Sequence, residues 1–306
     1  MSDREPEVVE PDALAARRLE GRTFLVTGAN AGIGCATAFE LAARGASLVL
    51  ASRSEEKTAP VLEEIRRRYP GAEVEFLAID LADLASVKRA AKQVLASSRP
   101  LDVLINNAGL MGASGLSKDG FEITFATNHL GPFLLTKLLL PKLHEAPQGR
   151  VVNVASRAHF RARRVDWNSI SRPVKKIDSF AQYSVTKLMN ILHARELARR
   201  LAGSRVTTYA VHPGVVASEL WREVPRPLGF VMKFFLISNE EGAKTTIHCA
   251  TAPELGSASG LYYDRCREAR VSRLAREDAL AKELFDRSED LIHEVFASRL
   301  ASAPSL

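Results

Sequence analysis

Short apolar runs rich in β-branched residues alternate with longer helical patterns along most of the chain. These runs predict seven strands: Thr23–Thr27, Ser47–Ala51, Glu73–Ile79, Val103–Ile105, Arg150–Val154, Val206–Val211 and Leu261–Tyr263. They are largely apolar rather than alternating, as expected where helices cover both faces of a parallel sheet. The pattern therefore predicts an α/β fold with one doubly wound domain, a parallel sheet of about seven strands and helices on both faces.

The segments between the strands carry the period of helices. The predicted helices are Ile33–Arg44, Glu55–Tyr69, Leu84–Ser98, Gly120–Leu143, Phe180–Leu201, Glu240–Ala250 and, after the last strand, about Arg276–Ala297. No repeat or Gly/Ser-rich linker divides them, so we predict one domain over 21–300, preceded by an acidic, flexible arm over 1–20. Two irregular stretches, 157–179 and 219–238, follow strands at their carboxyl ends and predict substrate loops.

Charge, cysteine spacing and hydropathy bear on whether the protein binds nucleic acid, a metal or a membrane. Lys+Arg 42 against Asp+Glu 36 gives a net charge of +6, but the basic residues are scattered and no nucleic-acid recognition motif accompanies them. The three cysteines lack metal-ligand spacing, so we expect no metal and a reducing, cytoplasmic location. No uncharged stretch reaches membrane-spanning length, so we expect no transmembrane segment. The apolar run 228–237 fits a lid, a core seam or a peripheral membrane contact.

A glycine-rich turn follows the first predicted strand and opens the first predicted helix. Glycines let the backbone approach a pyrophosphate, and free N–H groups at a helix start favour negative charge. A purely structural turn is the alternative, but the strand–turn–helix context favours dinucleotide binding. The predicted cofactor contacts in this turn are Gly28, Asn30, Ala31, Gly32, Ile33 and Gly34.

The end of the second strand bears on the choice between NAD and NADP. The sequence reads Leu50-Ala51-Ser52-Arg53, with no acid before Glu55. A carboxylate here would bind the ribose hydroxyls and repel a 2′-phosphate. Arg53 can instead form a bidentate pair with that phosphate, and Ser52 can add a hydroxyl. A surface arginine at a strand end is the alternative, but the missing carboxylate favours NADP(H).

A tyrosine and a lysine four residues apart are the strongest candidates for the reacting centre. Tyr183 and Lys187 lie on one face of a predicted helix. We expect the lysine cation to stabilise the phenolate and to lower the pKa of Tyr183 toward neutrality. Ser156 ends the fifth strand just before this helix and can bind a substrate oxygen.

These elements together resemble the short-chain dehydrogenase/reductase family over nearly all of 21–298. The resemblance rests on the Thr-Gly-x-x-x-Gly-Ile-Gly turn, on Asn106-Asn107-Ala108-Gly109 and on Tyr183 with Lys187. It implies a Rossmann-type fold and hydride transfer between a nicotinamide and an alcohol or carbonyl carbon. It also implies further cofactor contacts at Asp80, Leu81, Asn107, Ala108, Gly109, Tyr183, Lys187, Pro213, Gly214, Val216 and Ser218.

In the family, the residue matching Asn128 holds a water that contacts the lysine, so the resemblance gives Asn128 a place in the proton relay. Helix capping or a kink near Gly131-Pro132 explains this asparagine equally well. The neighbouring His129 receives no catalytic role. The family commonly forms homodimers or homotetramers, which we expect here.

Within the family, the chain resembles the NADP-preferring retinol dehydrogenase-like group. The resemblance rests on residues 127–136, 152–159, 208–214 and 240–246. It implies an apolar alcohol or carbonyl substrate, such as a retinoid or a lipid-derived aldehyde. Many members of the group carry an amino-terminal membrane segment, and from the acidic first residues we expect none in this sequence. A protochlorophyllide reductase-like enzyme and a non-catalytic NADP-binding regulatory protein are the alternatives.

Overall fold

The computed structural model describes residues 18–214 and 237–301, which build one sheet with helices on both faces. The strands are β1 Thr23–Thr27, β2 Ser47–Ser52, β3 Val74–Ala78, β4 Val103–Asn106, β5 Arg150–Val154, β6 Thr207–His212, β7 Leu261–Asp264 and β8 Arg267–Glu268. Their order across the sheet is β3-β2-β1-β4-β5-β6-β7-β8. All neighbours pair in parallel except β7 and β8. The predicted doubly wound α/β fold is confirmed.

The longer helices of the described residues are α1 Gly32–Ala43, α2 Glu55–Arg68, α3 Leu84–Leu95, α4 Gly131–Glu145, α5 Ser179–Arg200, α6 Asn239–Thr251 and α7 Asp278–Ala301. Side-chain caps fix where several of these helices begin. The hydroxyl of Ser54 accepts a hydrogen bond from Lys57 N at 3.2 Å, and Asp83 accepts from the first amides of α3. Helix ends lie within a few residues of the predicted bounds, except for α4 and α7.

Two apolar clusters lie on opposite faces of the sheet. Helices α3, α4, α5 and α7 pack with one set of strand side chains, which includes Leu25 and Leu104. Helices α1, α2 and α6 pack with the other set, which includes Phe24 and Val26. Since neighbouring residues of a strand face opposite sides, burial on both faces explains why the strands are apolar throughout.

The structure differs from the predicted elements at one helix and by one additional strand. The predicted helix Gly120–Leu143 is a turn at Ile123–Phe125, a π-helical segment at Ala126–Leu130 and then α4. An eighth strand, β8, pairs antiparallel with β7, but its two exposed residues give no apolar pattern.

The predicted loops and arm are only partly described. Residues 157–179 contain three short 3₁₀ turns, at Arg157–Arg161, Trp167–Ser169 and Lys176–Asp178. Nearly all of 219–238 and of the 1–20 arm lies outside the described residues. No helix in 18–214 or 237–301 combines the length and apolar character needed to cross a membrane.

Candidate active site

A cavity of about 600 Å³ opens at the carboxyl ends of the parallel strands. Crossovers on both faces of a doubly wound sheet leave such a crevice where the strand order reverses, here between β1 and β4. The predicted residues on its wall are Gly28, Asn30, Ala31, Gly32, Ile33, Gly34, Ser52, Arg53, Asp80, Leu81, Asn107, Ala108, Gly109, Ser156, Tyr183, Lys187, Pro213 and Gly214. The predicted Val216 and Ser218 lie outside the described residues.

The glycine turn is shaped by close approach of backbone to backbone. Gly28 has a φ of +68°, and a Cβ at this position would lie 3.0 Å from the Cα of Ala108. A Cβ on Gly34 would overlap both the carbonyl oxygen of Gly28 and the amide of Asn107. Helix α1 starts here with no side-chain cap on its first amides. The turn therefore presents free N–H groups that fit a pyrophosphate.

Side chains from β1 and β4 hold this turn against the sheet. Thr27 Oγ1 accepts from the backbone N–H groups of Asn107 and Ala108, both at 3.0 Å. Asn107 Nδ2 donates to the carbonyl of Thr27 at 2.8 Å. At the end of β4, Asn106 Nδ2 donates to Asn153 Oδ1 on the neighbouring strand β5 at 2.9 Å. The two asparagines therefore brace the central strands, and Asn107 also lines the cavity.

Ser52 and Arg53 occupy the rim where β2 ends. Ser52 is buried, and its hydroxyl is 2.7 Å from Thr58 Oγ1 and 3.2 Å from the carbonyl of Ser54. It therefore braces the start of α2. Arg53 is exposed and makes no hydrogen bond or ion pair with any residue that the structure describes. Its guanidinium is free to meet an anion at the rim.

Lys187 lines the cavity and is held in place by the end of β5. Its Nζ donates to the carbonyl of Val154, at the end of β5, over 2.7 Å. The side chain is 3% exposed, and burial lowers the pKa of the ammonium to about 8. The lysine therefore exchanges its proton at a far lower pH than an exposed lysine does.

Tyr183 differs from the sequence-based expectation. Burial raises the pKa of its phenol to about 12, although a hydrogen bond with the side chain of Ser156 opposes this shift. Lys187 Nζ lies 5.4 Å from the centre of the tyrosine ring and is bonded to Val154. The cation therefore does not bring the pKa of the phenol toward neutrality in this geometry, because loss of hydration dominates.

Asn128 lies behind the lysine in the π-helical segment. Its Oδ1 accepts from Leu110 N at 2.8 Å, and its Nδ2 donates to Leu110 O at 2.9 Å and to Thr186 Oγ1 at 3.1 Å. A Cβ on Gly109 would lie 3.3 Å from Lys187 Nζ and 3.4 Å from Asn128 Oδ1. The Asn128 amide and the Lys187 ammonium therefore both approach Gly109, and no side-chain cap begins α4 at Gly131. The place of Asn128 in the proton relay stays a prediction.

Sequence reasoning missed the apolar part of the wall. Leu110, Met111 and Phe180 line the cavity. Phe180 lies beside Tyr183, with the two ring centres 6.4 Å apart. Phe180 precedes Tyr183 by three residues, a spacing that places both on one helix face and gave a usable signal. Leu110 and Met111 lie in an irregular segment with no such periodicity.

Known proteins are similar to this chain over most of its length. A family model described as short chain dehydrogenase matches residues 22–228. Retinol dehydrogenase 11 from Homo sapiens is 44% identical over 278 residues, which cover 90% of this chain and 87% of that protein. Dehydrogenase/reductase SDR family member 13 from Homo sapiens is 44% identical, with coverage of 89% and 74%. A crystal structure of an uncharacterised protein from Mycobacterium paratuberculosis matches with a TM-score of 0.73 and 34% identity, covering 92% of this chain and 97% of that chain.

Proposed function

Because this chain belongs to the short-chain dehydrogenase family, we propose that it is an NADP(H)-dependent oxidoreductase acting on an apolar alcohol or carbonyl compound. The observation that carries the proposal is the convergence of Ser156, Tyr183 and Lys187 on the cavity that the glycine turn opens. A dinucleotide cradle and a proton-transfer group share one crevice, which is the arrangement that hydride transfer needs.

The residues of the crevice fit a nicotinamide dinucleotide. The glycine turn and the uncapped start of α1 suit its pyrophosphate, and Asp80 and Leu81 suit its adenine. Pro213 and Gly214, with Val216 and Ser218 beyond them, are proposed to hold the nicotinamide carboxamide. Arg53 would pair with the 2′-phosphate, which supports NADP(H). When bound, NADPH supplies the hydride.

In the proposed reaction, the side chains of the protein supply a proton to the substrate oxygen. In the reducing direction, Tyr183 donates its phenolic proton to the substrate oxygen as negative charge develops there, while the hydroxyl of Ser156 steadies that oxygen. With a pKa raised to about 12, the phenol carries its proton at neutral pH, which is the protonation state that reduction requires. Lys187 then gives its ammonium proton to the Tyr183 phenolate and is reprotonated from solvent, and Asn128 is proposed to hold a water that contacts this lysine. Alcohol oxidation runs through the same groups in reverse.

The proposed substrate class rests on apolar side chains in the cavity wall and on the relatives. Leu110, Met111 and Phe180 line the cavity, and the human relative that is 44% identical is named as a retinol dehydrogenase. We therefore assign this chain a retinoid or a lipid-derived aldehyde, with residues 157–179 and 219–238 as substrate loops. The proposal also includes a cytoplasmic location, since Cys35, Cys249 and Cys266 are free thiols suited to a reducing compartment. It includes a homodimer or homotetramer because the family resemblance implies one.

An aldehyde series of increasing chain length tests the function. NADPH consumption by the purified protein should rise in kcat/KM with each added methylene, because burial of a methylene group contributes about 0.8 kcal/mol. Retinal and long-chain aldehydes should exceed short polar carbonyls by at least tenfold. Preference for small polar carbonyls would refute the apolar substrate class, and no NADPH oxidation with any carbonyl would refute the enzyme itself.

A further inference from the structure

Asn128 lies in the π-helical segment Ala126–Leu130, which interrupts the regular α-helical pattern. The next residue, His129, has no role in the proposed proton relay. A π turn contains one more residue than an α turn, so its relaxation to an α-helix would rotate Asn128 by about 100°. Such a wide turn therefore needs contacts that stabilise it against the regular helix. Leu110 and Thr186 supply contacts on the side of the cavity.

His129 supplies a contact on the other side. Its side chain is 1% exposed, and its Nε2 lies 2.8 Å from the hydroxyl of Ser288 on α7, 159 residues later in the chain. The rings of Phe125, Phe133 and His193 surround it at centre distances of 5.6, 5.9 and 6.2 Å. The imidazole is therefore fixed both by packing and by one long-range hydrogen bond.

The hydrogen-bond donors assign the tautomer of this histidine. The hydroxyl of Ser288 donates its one proton to the carbonyl of Leu284 at 2.7 Å, so its oxygen can only accept from His129. Nε2 therefore carries the proton of a neutral ring. Nδ1 is buried and has no hydrogen-bond partner among the described residues, so a second proton there would be unsatisfied. Burial and the nearby His193 also lower the pKa of His129.

We propose that His129 is a positioning residue, which anchors the π turn to Ser288 of the carboxyl-terminal helix and so holds the Asn128 amide between Leu110 and Thr186. The effect on turnover rests on the proposed function, because it acts through the relay that contains Asn128. The effect on the geometry of Asn128 does not depend on that function.

Ser288→Ala tests the anchor with the smallest change in packing. Losing the acceptor leaves the buried Nε2–H unpaired, and we expect kcat to fall roughly tenfold while the Kd for NADPH stays within twofold of the wild-type value. Ser288→Thr keeps the hydroxyl and should restore kcat. Ser298→Ala is the matched control on α7, since that hydroxyl is exposed and bonds only within its own helix. Wild-type kcat in Ser288→Ala would overturn the proposal.

A double-mutant cycle separates positioning from general stability. If the anchor acts through Asn128, adding Ser288→Ala to Asn128→Ala should lower kcat by less than a further twofold. A full additional tenfold loss would show that Ser288 acts elsewhere and would overturn the proposal.

Amide hydrogen exchange gives a readout that is independent of activity. The Leu110 N–H donates to Asn128 Oδ1, so Ser288→Ala should speed its exchange at least fivefold, and Ser298→Ala should not. Unchanged exchange at Leu110 would overturn the anchor. Wild-type turnover in Asn128→Ala would instead refute the relay of the proposed function, while the exchange at Leu110 still decides the positioning role.

Discussion

Among single side chains, Arg53 bears most directly on the choice of cofactor. It is an exposed guanidinium at the rim of the cavity, without an ion pair among the described residues. We expect Arg53→Ala to raise the Kd for NADPH roughly tenfold, because a charge-assisted pair with the 2′-phosphate is lost. The Kd for NADH should change by less than threefold. Binding titrations of both cofactors check this, and equal losses for the two would contradict the assignment.

Lys187 predicts the pH dependence of carbonyl reduction. Burial lowers the pKa of its ammonium from 10.5 to about 8, so in the proposed relay this lysine holds its proton below pH 8 and loses it above. The kcat at saturating NADPH should therefore be flat from pH 6.5 to 7.5 and should fall about tenfold per pH unit well above 8.

Lys187→Arg is the matched control for this profile, since a guanidinium stays protonated over the whole range. Whatever activity remains in that variant should not fall above pH 8. A wild-type kcat that stays constant to pH 9.5 would remove Lys187 from the relay.

Much of the site could be predicted at this scale, but the energetics could not. Spacing places Tyr183 and Lys187 on one helix face, and the structure has them there. Spacing says nothing about hydration, and burial is what raises the pKa of Tyr183 and lowers that of Lys187. The Val154 carbonyl that binds the ammonium also comes from another element, 33 residues away.

At the scale of helices and strands, contacts between distant segments also escape prediction from the sequence. The apolar period of residues 120–143 predicts one helix, since a single π turn barely changes that period. The contacts that accompany the turn come from Leu110, Thr186 and Ser288, all distant in sequence. Strand β8 has only two exposed residues and no apolar pattern. By contrast, β1 follows local rules, and its observed bounds are the predicted ones.

Gly34 tests the close packing of the first strand, turn and helix. An added methyl group would overlap the backbone of Gly28 and the amide of Asn107, so Gly34→Ala forces the turn open. We expect a loss of about 1–3 kcal/mol in the free energy of unfolding and at least a tenfold rise in the Kd for NADPH.

Gly71→Ala is the matched control for this substitution, because nothing lies within 4 Å of a Cβ at that position. Thermal unfolding and cofactor titration compare the two variants. If Gly34→Ala bound NADPH as tightly as Gly71→Ala, the turn would not be the cofactor cradle.

The whole molecule should lose stability in mild acid because several histidines are buried in neutral form. Burial lowers the pKa values of His129, His159, His193 and His212, with His193 and His212 at about 4. The unfolded chain then binds more protons as pH falls from about 6.5, so stability is present above that pH and is lost toward pH 4. His193 alone should account for about 2 kcal/mol between pH 7.5 and 5.

Urea unfolding at pH 7.5, 6 and 5 measures this loss. His193→Phe keeps an aromatic ring in the cluster with Phe133 and Phe285 and should flatten part of the pH dependence. A free energy of unfolding that is equal at pH 7.5 and pH 5 would show that these histidines are not buried as neutral rings.

For the molecule as a whole, the sequence patterns predicted the sheet, its parallel pairing and the helices on both faces. Strands that are apolar at successive positions must be covered on both faces of the sheet. The structure shows this at β1, where Leu25 belongs to one apolar cluster and Val26 to the other. The apolar part of the cavity wall could not be predicted in the same way, because Leu110 and Met111 reach the cavity from an irregular segment.

Tyr183→Phe in a single-turnover experiment tests the central claim most directly. The change removes only the phenolic hydroxyl, so the fold and the Kd for NADPH should stay within twofold of the wild-type values. Oxidation of bound NADPH by an aldehyde should slow by at least a thousandfold, since the developing alkoxide then lacks its proton donor. Rapid NADPH oxidation in this variant, with cofactor binding intact, would contradict the account.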